Sequence, residues 1–184
     1  MGTAQNLDVV SLSFSPIPTE IRHWLTAVVV LGFLSFFTSC SLFLVLGYRL
    51  FKWHLKAKRT NQFVILIFNL VLADIQQSLA FLLNTEWLRM NQIAVGTRIC
   101  WAQGWFVSTG DLASGVWCLA IGIHTFASVI FNYRLRPLHF YLTIAALWTF
   151  VYGMALIGVG LHPHDLYVRA GPWVSCIMPE IKCL

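Results

Sequence analysis

The stretch Asn69-Leu70-Val71-Leu72-Ala73-Asp74-Ile75-Gln76-Gln77-Ser78 sets a carboxylate in the middle of an apolar run covering about residues 63–85. An acidic side chain at the centre of a lipid-embedded helix costs roughly 2.5–3.5 kcal/mol on insertion scales, so it turns toward partners, water or an ion inside a bundle. Asp74 therefore calls for neighbouring helices. At roughly 100° per residue, Gln77 and Ser78 each fall within about 60° of Asp74, and Asn84 lies not far off that stripe. Asn69 and Gln76, seven residues apart, share a different face. A helix polar on two sides in lipid packs between neighbours, not at a rim. For Asn69 the simplest role is an interhelical hydrogen bond, worth about 0.6 kcal/mol and sometimes up to about 1–2.

The rest of the chain supplies the neighbours. Of 184 residues, 58% are hydrophobic and only 10% charged, where soluble domains carry about a quarter charged residues, and the mean hydropathy is +0.74. Four apolar runs, at about 24–48, 63–85, 100–131 and 138–161, each reach the roughly 20 residues that a spanning helix needs. The expected fold class is an all-α polytopic transmembrane bundle of four spanning helices over 23–161. A tail (1–22) precedes it and a loop (162–184) follows. Residues 1–22 lack the basic, apolar and small-residue pattern of a cleaved secretory signal, so the first segment serves as its own insertion signal.

The net charge of +5 comes from clusters beside helix ends. Arg49, Lys52, Lys56, Lys58 and Arg59 crowd the first connection, and Arg134 and Arg136 the third. By the positive-inside rule both connections are cytoplasmic, which makes this a multi-pass membrane protein with an external N-terminus. Arg89 and Arg98 in the second connection give a weaker opposing signal. Such clusters are topology determinants at the lipid bilayer, with binding of lipid head groups as the alternative, and not a nucleic-acid surface.

In the first segment, Ser35, Thr38, Ser39, Cys40 and Ser41 are small enough for close helix approach and predict a packing seam. In the third, Gly104, Ser108, Asp111, Gly115, Cys118 and Gly122 follow three-and-four spacing, which predicts a small face meeting several helices and hence a central helix. Asp111 has two readings, a ligand, ion or gating carboxylate, or a structural hydrogen bond to the second segment. His124 reads as a packed or interfacial histidine. Trp148, at mid-segment, is expected to pack against another helix with its indole N–H on an acceptor. His162, His164 and Asp165 lack the further ligands of a metal site.

Cys40 and Cys118 lie inside segments as small packing residues. Cys100, Cys176 and Cys183 lie at or beyond the external boundary, where oxidation is permitted, and either Cys176 or Cys183 can pair with Cys100.

Together these residues resemble the first half of a seven-transmembrane G-protein-coupled receptor. Asn69-Leu-X-X-Ala-Asp74 is similar to the signature of the second receptor helix, Cys100 matches the external end of the third, Trp148 the tryptophan of the fourth and Cys176 the second external loop. The stretches Leu72-Ala-Asp-Ile-Gln-Gln-Ser-Leu-Ala-Phe81, Cys100-Trp-Ala-Gln-Gly-Trp105 and Leu119-Ala-Ile-Gly-Ile-His-Thr-Phe126 look like fungal receptors of the glucose-sensing and cyclic-AMP-receptor-like families. The resemblance covers the chain from about Trp24 onward. Two departures stand out. Rhodopsin-like receptors carry an acidic-Arg-aromatic triplet where this chain has His124-Thr125-Phe126, as expected for the fungal group. The chain also stops at Leu184, inside what would be the second external loop, before three further helices.

The resemblance implies a plasma-membrane receptor, or a truncated fragment of one, sensing an external nutrient or small-molecule ligand and signalling to a heterotrimeric G protein. It also implies a Cys100–Cys176 disulfide, ligand contacts from Gln77, Asn84, Gln103, Ser108 and Asp111, and an internal polar or ion site at Asp74 and Asn69. No cofactor is implied. The alternative is a self-contained four-helix transporter or channel subunit using Asp74 and Asp111. No nucleophile–base arrangement suggests an enzyme.

Overall fold

The computed structural model describes residues 16–55, 61–92, 97–131 and 136–161. These form five helices: α1 (Thr19–Leu55), α2 (Gln62–Leu82), the short α3 (Asn84–Met90), α4 (Arg98–Ile130) and α5 (Pro137–Leu161). Four spans, Ile21–Trp53, Gln62–Met90, Arg98–Ile130 and Pro137–Val159, are long and apolar enough to cross a membrane. Among the described residues the fold is an all-α bundle of four membrane-spanning helices.

The helix starts follow from local chemistry. Asn61 caps α2 by accepting from the Phe63 amide at 3.1 Å, and Thr97 caps α4 by accepting from the Cys100 amide at 3.3 Å, each satisfying a donor the helix cannot. Pro137 opens α5, where its missing N–H costs nothing and its fixed φ suits the first turn. With 37 residues, α1 spans about 55 Å, well beyond the ~30 Å hydrocarbon core.

The second run ends earlier than residue 85. Leu83 stays in the αR region, so the chain turns slightly there and restarts as α3. That helix closes at Asn91, which takes up φ 50°, a left-handed conformation that asparagine tolerates better than most residues.

Helix α2 lies between α1 and α4, and its span is the most buried of the four. Two apolar clusters fix the arrangement. At one end, Ile17, Leu25, Trp87 and Cys100 join the starts of α1 and α4 to α3, and the Ile17 amide donates to the Asn91 carbonyl at 3.3 Å. Deeper in the bundle, Leu66, Ala73, Ala113, Trp117, Phe140 and Val151 join α2, α4 and α5.

Two expectations need correction. The central helix is α2, not the third segment, whose small-residue stripe is exposed from Asp111 through Gly115 and Cys118 to Gly122. A Cβ added at Gly115 or Gly122 would meet nothing within 4 Å. The face of α4 that meets its neighbours instead carries Gln103, Val107, Gly110, Ala113 and Trp117, all buried. The seam of α1 is also displaced. Ser35, Thr38 and Ser41 are exposed, and the Thr38 and Ser41 hydroxyls donate to their own helix at Leu34 and Phe37, so they need no partner helix. Buried Leu25 and Val29 and Gly32 form the contact face, with a Gly32 Cβ falling 2.8 Å from Phe81 Cβ. Farther along, Phe43 stacks on Phe68 at 4.4 Å between centroids.

Candidate functional site

The α2–α4 seam is where the two intramembrane carboxylates are met. Glycine at 110 lets the backbones approach: a Cβ there would stand 2.8 Å from both the Cα and the amide nitrogen of Gln77. This contact brings side chains one turn apart on each helix into register. Ser114 Oγ donates to Asp74 Oδ1 at 3.2 Å, and Gln77 Nε2 donates to Asp111 Oδ1. Each helix thus supplies one carboxylate and one donor to the other. Asp74 is half-buried, whereas Asp111 borders the open face of α4. In lipid, such donors replace the water that would otherwise solvate the acids.

Toward the Cys100 end the polar groups are spent on one another. Trp87 Nε1 donates to Gln103 Oε1 at 2.9 Å. Gln103 Nε2 donates to Asn84 Oδ1 at 2.7 Å and to the Ala80 carbonyl at 3.2 Å. All three side chains are buried, and together they clamp α3 against α4. Ser108 donates to the carbonyls of Gly104 and Trp105 in its own helix. Of the five residues that the resemblance implies as ligand contacts, Gln77 and Asp111 thus pair across the seam, Asn84 and Gln103 form a buried clamp, and Ser108 bonds internally.

On the other side of α2, Trp148 Nε1 donates to Asn69 Oδ1 at 2.8 Å. Asn69 Nδ2 donates to the Ile65 carbonyl at 2.8 Å. One turn away along α5, Gln76 Nε2 donates to Tyr152 Oη at 2.9 Å, while Trp148 stacks on Tyr152 at 5.5 Å. Asn69 therefore faces α5, away from the Asp74–Ser114 pair, and the two residues grouped as one internal polar site serve opposite sides of α2. His124 contacts Gln62 Oε1 through Nε2 at 3.3 Å.

Ser114, Gly110, Trp87 and Tyr152 do not stand out in the sequence. Ser114 carries a usable signal: it follows Asp111 by three residues as Gln77 follows Asp74, the spacing of one helix face. Gly110 carries none, because it lies one position off the conspicuous stripe.

Among the described residues, no group of three or more His, Cys, Asp or Glu is disposed to hold a metal ion. Cys40 and Cys118 are free. Cys176, Cys183, His162, His164 and Asp165 lie outside the described residues. Comparison with known family models, curated proteins and solved structures gives no match.

Proposed function

We propose that this bundle belongs to a seven-transmembrane G-protein-coupled receptor similar to the fungal glucose-sensing and cyclic-AMP-receptor-like groups. It senses an external nutrient or small molecule and signals to a heterotrimeric G protein. The supporting observation is the asymmetry of α4. One side is closed by α2, while the side carrying Asp111, Gly115, Cys118 and Gly122 remains open. A polar, small-residue face at membrane depth suits further helices, whether from this protein or another, and a cavity enclosed between them would be edged by Asp111 and Gln77. Ligand binding would shift the population between two arrangements of those helices.

In this reading the end bearing Arg49 and Lys52 is cytoplasmic, the N-terminus is external and Cys100 pairs with Cys176. The deciding measurement is nucleotide exchange on a heterotrimeric G protein in plasma membranes containing the protein, challenged with sugars, amino acids and cyclic nucleotides. Ligand-dependent exchange that falls on Asp111→Ala supports the receptor. Exchange indifferent to every compound, together with free Cys100 and Cys176 thiols in non-reducing peptide maps, overturns it.

A second reading, a transporter or channel subunit, draws on the same crossed carboxylates, Asp74 and Asp111. Ion flux through reconstituted protein that Asp74→Asn abolishes favours it, and absence of flux removes it.

A further inference from the structure

Between Trp24 and Tyr48, helix α1 carries no charged residue, and Val30, Leu34, Leu44 and Val45 on that run are exposed. Trp24 and Tyr48 are themselves exposed and stand about 36 Å apart along the axis at ~1.5 Å per residue. That separation spans the ~30 Å hydrocarbon core of a bilayer and enters the headgroup layer on each side. Tryptophan and tyrosine, each an apolar ring with a polar edge, gather at those two boundaries. Tyr48 therefore marks one boundary of the bilayer, and Arg49 and Lys52, within about one turn beyond it, lie at headgroup level.

Both cations are exposed on the side of α1 turned away from the bundle. Phe43, nine residues before Lys52 and so about 180° from it, stacks on Phe68 of α2. Lys52 lies over the Tyr48 ring, with its Nζ 5.8 Å from the centroid, and Arg49 is about 60° from Lys52 around the axis. The charge at this end of the bundle is also one-signed. His124 of α4 contacts Gln62 of α2, so the α1–α2 and α4–α5 connections share that end, and no Asp or Glu occurs from residue 21 to 73 or from 112 to 164. Among the described residues the one salt bridge is Arg89–Glu86, on α3 at the opposite end. Long basic side chains keep their heads at headgroup level while their stems lie along apolar surface.

We propose that Tyr48, Arg49 and Lys52 form a site on the lipid-facing side of α1 for an anionic phospholipid, with its phosphate held by the guanidinium and the ammonium and an acyl chain lying along Leu44 and Val45. The occupant is a lipid and not a water-borne anion, because both cations stand within about one turn of exposed apolar side chains, at the depth where a leaflet presents its phosphates. An anionic headgroup is favoured over a zwitterionic one because no carboxylate neutralises the pair. This site is independent of the receptor reading.

The test is native mass spectrometry of the full chain after exchange into detergent containing equal amounts of phosphatidylglycerol and phosphatidylcholine of matched chains. Retention of phosphatidylglycerol in preference to phosphatidylcholine is expected. Arg49→Gln and Lys52→Gln should each lower that preference by about fivefold, at roughly 1 kcal/mol per basic residue, whereas Lys52→Arg keeps the charge and should keep the preference. Arg98→Gln, which removes an exposed cation from the opposite end, is the control and should leave it unchanged. Circular dichroism reports whether each variant stays helical. Equal retention of the two lipids by the parent protein, or a preference unchanged in a helical double variant, Arg49→Gln with Lys52→Gln, overturns the site. An equal fall in Arg98→Gln also overturns it, by assigning the preference to net charge alone. Displacement of phosphatidylglycerol by inorganic phosphate overturns it too, by making the pair a site for a free anion.

Discussion

Gly110 and Gln77 bring the backbones of α4 and α2 together, where a Cβ added at position 110 would fall 2.8 Å from the Gln77 backbone. Backbone atoms cannot step aside as the tip of a side chain can. Gly110→Ala should therefore push the helices apart and weaken both crossed hydrogen bonds, at a cost of about 1–3 kcal/mol, the range for overpacking. Gly115→Ala and Gly122→Ala meet open space and should leave stability unchanged in this bundle. Denaturant titration in mixed micelles, comparing the three variants, checks the ordering.

The Asn69–Trp148 hydrogen bond ties α5 to α2. Asn69 has its carbonyl oxygen on the indole and its amide nitrogen on its own helix, so Trp148→Phe leaves that oxygen without the indole donor. Interhelical hydrogen bonds in membranes average about 0.6 kcal/mol and reach about 1.7. Trp148→Phe and Asn69→Leu should each destabilise the bundle, and a double-mutant cycle should give a coupling energy in that range. Coupling indistinguishable from zero would mean that the contact contributes shape only.

The four spans were legible because nothing but length and missing charge decides them, and Asn61, Thr97 and Pro137 are ordinary helix-start residues. The turn at Leu83 was not, because the sequence Leu82-Leu83-Asn84 contains no glycine or proline and the backbone there remains helical. Helix contacts were only partly legible. Asn69 and Trp148 each announced a need for a partner, since a polar group at membrane depth must be satisfied, and the structure joins them. Small residues carry no such demand. Gly115 and Gly122 permit close approach without requiring it, and Thr38 and Ser41 satisfy their hydroxyls within α1. The difference between Gly110 and the stripe at Asp111 is one residue, a rotation of about 100°, which periodicity alone does not resolve.

Gln103 sits at the hub of the clamp between α3 and α4, accepting from Trp87 and donating to Asn84 and to the Ala80 carbonyl. Gln103→Leu keeps much of the volume but leaves a buried indole N–H and a buried amide without these partners. Stranding buried polar groups costs about 1–3 kcal/mol each, so this variant should be more destabilised than Trp148→Phe. The loss should also be local. Limited proteolysis should cut near Met90–Gln92 earlier in Gln103→Leu than in the parent protein, while the connection between α1 and α2 keeps its parent rate.

The Gln77–Asp111 pair permits a test by removal of one partner and then both. Gln77→Leu leaves Asp111 beside the open face of α4 without the amide donor, in a setting where an unsatisfied acid costs roughly 2.5–3.5 kcal/mol. Adding Asp111→Leu removes the acid that needed the donor, and replacing both members of a buried polar pair with apolar groups of similar shape is near neutral. The double variant should therefore be more stable than Gln77→Leu alone, although it carries one substitution more. The same comparison at Ser114 and Asp74 should give the smaller recovery, because Asp74 is half-buried in the α2–α4 seam and its replacement by leucine must also repack that contact. Stabilities in the order parent, double, single at the Gln77–Asp111 rung identify the hydrogen bond as the means by which the bundle keeps an acid at that depth. A double variant weaker than the single would instead make Asp111 itself a packing element of α4.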